Sequence, residues 1–493
     1  MTSDLSSVDV LSTPEAGARV IRGGVLRGGG YVVGILLGAA TSVFLLRGLG
    51  VENFGRYATV AALLGIVAIV TDAGLTAVGA RELALHPRGE RRVELLGTLL
   101  GLRVVLTAAG VAMAVVFAIV AGYDRTMVWG TLLAGIGILL VNTQSTSMMP
   151  LAVELRLGAV TTFEVLRQAL TLIGVAALAL AGSALLPYFA VQAVVGAAML
   201  VLTPRVVGGV RMLRPRLARR DAARLLKEAL PLAVAIAMNV IYLRLLVIIV
   251  SLTESEQETG LYATSFRIFE MLIGIPGLVL AVALPVLAVA GAHDVERLRY
   301  GLQRMTEVAA VFSLGLALAT YAFATPVIRL LAGPAYDGAA PILRIQGWAL
   351  VPLFIGQVAV LALISLRRQR SLALANAFSL ALVVLLGLTL TPAFAGRGAA
   401  AAGVIAETAL AVTLFILLAR AERDVVPRFT FVWRPLVALA AGAAVLAVPG
   451  IGEWLRAVLV TCAFAAAALA VRAVPYEVLE ALRRRDPGSR SKA

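Results

Sequence analysis

Runs of about 20 apolar residues recur along this chain, and nothing else in the sequence narrows its fold so far. About 20 such residues in helical form cross the hydrocarbon layer of a bilayer. No water reaches the backbone there, so a crossing segment must satisfy its own N–H and C=O groups, as a helix does. The expected spans are 26–46, 57–79, 95–120, 127–148, 159–180, 185–202, 230–251, 261–288, 305–328, 345–365, 371–390, 398–419, 434–449 and 455–473. The short joins at 148–159 and 180–185 leave counts of twelve or thirteen open beside fourteen. Composition agrees, with 60% of residues hydrophobic and 14% charged, against about 45–50% and 25% in soluble domains. The expected class is an all-α integral membrane protein of about fourteen transmembrane helices.

The net charge of +15 lies between apolar segments rather than in a basic stripe interleaved with aromatics. It therefore speaks for topology and anionic headgroups, not nucleic acid. One set of alternate loops carries Arg81, Arg88, Arg91 and Arg92, then Arg156, then the eight cations of 203–229. The same set continues through Arg297, Arg299 and Arg304, through Arg367, Arg368 and Arg370, and ends with Arg420, Arg423, Arg428 and Arg434. The opposite loops hold only Arg47, Arg56, Arg125, Arg329, Arg344, Arg397 and Arg456. The positive-inside rule then places both termini on the cytoplasmic side of a cell membrane, with an even number of spans. The first 17 residues are polar, with Asp4, Asp9 and Glu15, so the first apolar segment is expected to be a span rather than a cleaved signal peptide. A single cysteine, Cys462, allows no intrachain disulfide.

An internal echo divides the chain. Phe54-Gly-Arg-Tyr-Ala-Thr-Val60 opens the second span, and Thr259-Gly-Leu-Tyr-Ala-Thr-Ser265 opens the eighth. Spans five and six are echoed by spans eleven and twelve, each pair preceded by a short basic turn at Arg156 or at Arg367 to Arg370. Six spans per half is an even number, so the halves enter the membrane in the same direction, as parallel repeats. The expected organisation is an N-lobe at 1–202, a basic inter-lobe linker at 203–229 and a C-lobe at 230–419. Residues 420–493 then hold two further helices and a basic tail.

Four stretches carry a family resemblance. They are Leu49-Gly-Val-Glu-Asn-Phe-Gly-Arg-Tyr-Ala58, Gly260-Leu-Tyr-Ala-Thr-Ser-Phe-Arg-Ile-Phe-Glu270 with Pro276 and Pro285, Leu331-Ala-Gly-Pro-Ala-Tyr-Asp-Gly-Ala-Ala-Pro341, and Pro392-Ala-Phe-Ala-Gly-Arg-Gly-Ala-Ala400. In this order they resemble the polysaccharide-type flippases of the multidrug/oligosaccharidyl-lipid/polysaccharide exporter superfamily. The resemblance implies two six-helix lobes around a cationic cavity and transport by alternating access. It implies as cargo a polyprenyl-(pyro)phosphate-linked oligosaccharide, moved from the inner to the outer leaflet for cell-surface polysaccharide biosynthesis.

Charges within spans are the natural candidates for contact with such a cargo, since each costs at least about 2.5–3.5 kcal/mol on insertion scales. Guanidinium groups hold phosphate oxygens bidentately and stay charged when partly desolvated. Arg267 leads, because Tyr262-Ala-Thr-Ser-Phe-Arg267 resembles a segment of lipid II flippases, where a cavity arginine is associated with the headgroup. This chain has two extra residues before that arginine. The bland alternative is a pair with Glu270 at i, i+3. Arg244 lies mid-span with no acid nearby in sequence, Arg27 near the inner end of the first span and Arg56 at the outer mouth of the second. Arg103 is expected to snorkel, and Glu164 with Arg167 to form a structural pair. Glu407, isolated in the twelfth span, and Asp72, in Thr71-Asp-Ala-Gly-Leu75, are the candidate coupling carboxylates. His86 and His293 fall in cytoplasmic loops, so coupling to protons would have to use carboxylates.

Other functions fit less well. The two lysines, Lys227 and Lys492, follow no Gly-x-x-x-x-Gly, so there is no P-loop for an ATP-driven pump. A membrane glycosyltransferase or polymerase needs an acidic outer site, and the outer loops are short and lack an Asp-x-Asp or Asp-Asp pair; no catalytic residue, metal or cofactor is expected. A multidrug exporter of the same superfamily remains a rival, as does lipid II as the cargo. Expected partners are the lipid-linked oligosaccharide, membrane lipids and a polysaccharide polymerase or glycosyltransferases of the same pathway; no nucleic acid is expected.

Overall fold

The computed structural model describes residues 14–72, 74–86, 89–207, 209, 214–293, 295–366 and 368–474; of residues 14–27, 231–232, 234–237, 239–240, 243, 275–293, 295 and 369 it describes the backbone alone. Helices and turns make up these residues, with no strand among them. In chain order the helices are α1 (Pro14–Asp72), α2 (Leu75–Leu85), α3 (Glu90–Val120), α4 (Arg125–Ser147), α5 (Met149–Val153), α6 (Leu157–Leu180), α7 (Leu185–Leu202) and α8 (Pro204–Val207). They continue as α9 (Arg219–Thr253), α10 (Glu256–His293), α11 (Val295–Leu331), α12 (Ala339–Gln346), α13 (Leu350–Ser365), α14 (Gln369–Ala421), α15 (Trp433–Leu446) and α16 (Glu453–Ala470).

Ten helical stretches among the described residues are long and apolar enough to cross a membrane. Two of them, Gly28–Leu85 and Arg370–Ala421, each hold two expected spans. The first is broken at Gly50 (φ 72°, ψ 173°), a conformation a glycine adopts without a Cβ clash. The second is broken at Ala395 (φ 50°, ψ −139°), where the same demand falls on a residue that has a Cβ. The remaining two expected spans, 230–251 and 261–288, lie on α9 and α10.

The chain forms two compact units, one of residues 1–53 with 60–240 and one of 54–59 with 241–493, taken over their described residues. In the first unit α4 and α7 approach closely, since a Cβ on Gly137 would lie 2.8 Å from the backbone N of Ala193. Leu75, Leu95, Leu96, Leu99 and Leu100 form a core with Ala222, Leu225 and Ala229 of α9. The basic segment that follows α8 is therefore a packed strap. Arg216 N donates to Gly97 O at 2.8 Å, Arg91 holds Asp221 through both carboxylate oxygens at 2.9 and 2.7 Å, Arg224 bonds Glu82 at 2.9 Å, and Arg81 pairs with Glu228.

In the second unit α15 and α16 pack on α11 through Leu318, Ala438, Val460 and Phe464. Arg329 at the end of α11 reinforces this by pairing with Asp337 at 2.8 Å and with Glu453 at 3.2 Å.

Candidate functional site

α10 opens with a capping turn in which Ser255 Oγ accepts from Glu258 N at 3.2 Å. Along it Tyr262, Phe266 and Phe269, spaced i, i+4, i+7, form a buried aromatic stripe, the first two rings stacking at 6.4 Å and 11°. The helical period then puts Arg267 and Glu270 on the other, less buried side. Arg267 Nη1 donates to Glu270 Oε2 at 3.0 Å. From α9, Arg244 Nη2 donates to Glu270 Oε1 at 2.8 Å.

One carboxylate thus bridges two guanidiniums, each taking a separate oxygen. The pair with Arg267 matches the i, i+3 spacing in sequence; the pair with Arg244 joins residues 26 positions apart. Side-chain exposures of 25% for Arg244, 41% for Arg267 and 30% for Glu270 leave the triad open to a ligand. Sequence reasoning missed Glu270 as a shared partner. Its only available signal was an acid on the same face of α10 as Arg267.

Arg56 pairs with Glu256 at 2.7 Å, at the first turn of α10 rather than beside the triad. The side chain of Arg27 lies outside the described residues. Around the Arg56 pair, the two echoing segments touch. A Cβ on Gly55 would meet Glu256 O at 2.5 Å and Gly260 N at 2.8 Å. Each segment carries the same local bond, Thr59 Oγ1 to Gly55 O at 2.9 Å and Thr264 Oγ1 to Gly260 O at 2.7 Å.

The two acids differ in surroundings. Asp72 accepts from Arg103 Nη1 and from Thr76 Oγ1. Arg103 itself is 3% exposed, so it does not snorkel; its charge is met inside the protein by Asp72, which an expectation from span position alone could not foresee. Glu407 of α14, 7% exposed, lines a small cavity with Tyr242, Tyr262, Phe269 and Gln346, and faces the Tyr242 hydroxyl. Ser265 Oγ donates to Gln346 Oε1, and Gln346 lines that cavity. Glu164 and Arg167 lie on α6 without closing an ion pair, Glu164 being exposed and Arg167 half-buried.

The comparisons with known proteins bear on the same reading. No curated protein sequence matches this chain. Among solved structures the chain is similar to the lipid II flippase MurJ in its inward closed conformation, at 13% identity and a TM-score of 0.73, covering 92% of this chain and 100% of that one. It is also similar to an inward-facing multidrug resistance MATE family transporter of the MOP superfamily, at 16% identity and a TM-score of 0.65, covering 79% and 95%. It is similar, too, to a MOP superfamily transporter from Pyrococcus furiosus, in which reverse polarity of the binding pocket suggests a different function, at 15% identity and a TM-score of 0.55, covering 86% and 99%. At these identities the likeness shows a shared fold, that of a multi-pass membrane transporter. The family model described as polysaccharide biosynthesis protein matches residues 44–341, more than half of the sequence and including both echoing segments and the arginine triad. The chain belongs to this polysaccharide biosynthesis protein family.

Proposed function

We propose that this protein is a flippase that carries a polyprenyl-(pyro)phosphate-linked oligosaccharide from the cytoplasmic to the outer leaflet of the cell membrane. It moves its cargo and does not transform it. The observation that carries this reading is the pairing of Arg244 and Arg267 within expected spans, on a shared and partly open carboxylate. Two guanidiniums side by side can each take an oxygen of a phosphate group, the part of such a cargo that most resists crossing an apolar layer. The family supplies the context of polysaccharide synthesis. Arg27 and Arg56 are proposed to assist at the two ends of the path.

In this proposal the lobes are 1–202 and 230–419, the basic segment 203–229 joins them, and 420–493 is an addition on the second lobe. Both termini face the cytoplasm, where the arginine-rich loops lie. The buried Glu407 is the coupling carboxylate we favour, because among the described residues no arginine pairs with it, while Asp72 is paired with Arg103. A polymerase or glycosyltransferase of the same pathway would supply or consume the cargo.

The test is to delete the gene and locate lipid-linked oligosaccharide across the membrane. Accumulation at the cytoplasmic leaflet is expected, and Arg267→Ala should reproduce it. Finding no such lipid on that side would sink the proposal. The likeness in fold to a lipid II flippase makes lipid II a second cargo to examine in the same extracts; accumulation of lipid II alone would replace the first reading with this one.

A further inference from the structure

We infer that Glu270 is a resident counter-ion that competes with the cargo's phosphate for Arg244 and Arg267. The inference rests on the proposed role of those two arginines as the headgroup site. Glu270 offers its two oxygens to two different guanidiniums, at 2.8 and 3.0 Å. A phosphate or pyrophosphate presents oxygens in a similar bridging arrangement, with more of them and with greater negative charge, so it can take the same two donors. The carboxylate therefore mimics the ligand and occupies its place between transport events.

Two physical consequences follow. Without Glu270, two like charges partly removed from water would lose the carboxylate they share, which costs stability. With Glu270 present, the cargo meets donors that are already engaged. Its apparent affinity is reduced by the fraction of time the arginines are free. A transporter gains from this, since a cargo held by two guanidiniums with no competing carboxylate would leave slowly, whereas the returning Glu270 carboxylate displaces it. The placement supports such an exchange. Glu270 lies one turn beyond Arg267 on the same face of α10, and it is 30% exposed, so its carboxylate can swing aside without breaking the core made by Tyr262, Phe266 and Phe269.

The experiment uses the purified full-length protein in detergent and geranylgeranyl pyrophosphate as the probe. Equilibrium binding is compared for the unaltered protein, E270Q, R244A and R267A, with thermal midpoints recorded for each. If the arginines are engaged for most of the time, E270Q should bind the probe about five-fold to ten-fold more tightly. In vesicles it should also move lipid-linked cargo more slowly, because release becomes limiting. Equal or weaker binding by E270Q, with a normal thermal midpoint and with binding lost in R244A, overturns the counter-ion role and leaves the headgroup site standing. Unchanged binding in both R244A and R267A removes the headgroup site itself. Where E270Q does not yield folded protein, E270D decides instead. Its carboxylate is one methylene shorter and is drawn away from the two guanidiniums, so tighter binding supports the inference and unchanged binding overturns it.

Discussion

Gly55 and Gly260, the matching glycines of the two echoing segments, pack backbone against backbone, with the place of a Gly55 Cβ lying 2.8 Å from the Gly260 nitrogen. That approach lets Arg56 reach Glu256 at 2.7 Å and sets Phe54 edge-on to Tyr336 at 6.4 Å. The neighbouring atoms are backbone and cannot turn aside as a side chain would. Gly55→Ala should therefore destabilise the protein by about 1–3 kcal/mol, the usual cost of overpacking. Gly38→Ala, with nothing within 4 Å of its Cβ position, should be neutral or stabilising. Thermal midpoints of the two variants in one detergent compare them directly.

Arginine and lysine should not exchange freely at the triad. A lysine at 244 or 267 keeps the charge and loses the planar fork that engages phosphate oxygens in pairs. Arg244→Lys and Arg267→Lys are expected to retain the fold and to lower cargo transport by about ten-fold or more, on the scale of a charge-assisted hydrogen bond. Transport by R267K at the unaltered rate would argue for a role of charge alone.

Acid should weaken two surface clamps. Hydrogen bonds from Arg91 hold the Asp221 carboxyl below its ordinary value, against the opposing effect of burial. Arg329 does the same for Asp337. A carboxyl depressed in the folded state contributes stability above its unfolded pKa of about 3.9, and that contribution fades as pH falls through the lower folded value. The thermal midpoint should therefore fall on the acid side of about pH 4, and Asp221→Asn should flatten that part of the curve. An identical acid profile in the variant would exclude the clamp as a source of the dependence.

Ala395 stands at φ 50°, ψ −139° in the bend of α14, beside Gly396, whose N–H points to Glu258 at 3.4 Å. Ala395→Gly should relieve strain and raise stability by about 1 kcal/mol, the low end for such positions. A lower unfolding midpoint for the glycine variant would show that the alanine is not strained there.

Glu407→Gln is expected to leave the fold and probe binding intact and to remove the dependence of transport on the ion gradient. Vesicles with and without an imposed proton gradient read this out. A gradient response equal to that of the unaltered protein would clear Glu407 of coupling.

Much of this protein is decided by local chemistry and so was legible in its sequence. An apolar run in lipid has to be helical, so the expected runs lie largely on helices, although the run 57–79 is divided between α1 and α2 at Gly74. The breaks at Gly50 and Ala395 lie in the joins 47–56 and 391–397 between expected spans. The pair Arg267 with Glu270 follows from helical spacing alone. What depended on the tertiary structure is the third member: Arg244 has no acid near it in sequence, and only the packing of α9 beside α10 delivers it to the free oxygen of Glu270. The same holds for Arg103, buried on Asp72 rather than extended to the membrane surface, and for the strap that seats Ala222, Leu225 and Ala229 in the first unit's core. Apolar periodicity is a property of one segment, whereas the pairing of buried charges is a property of two, and the second cannot be read until the segments are set side by side.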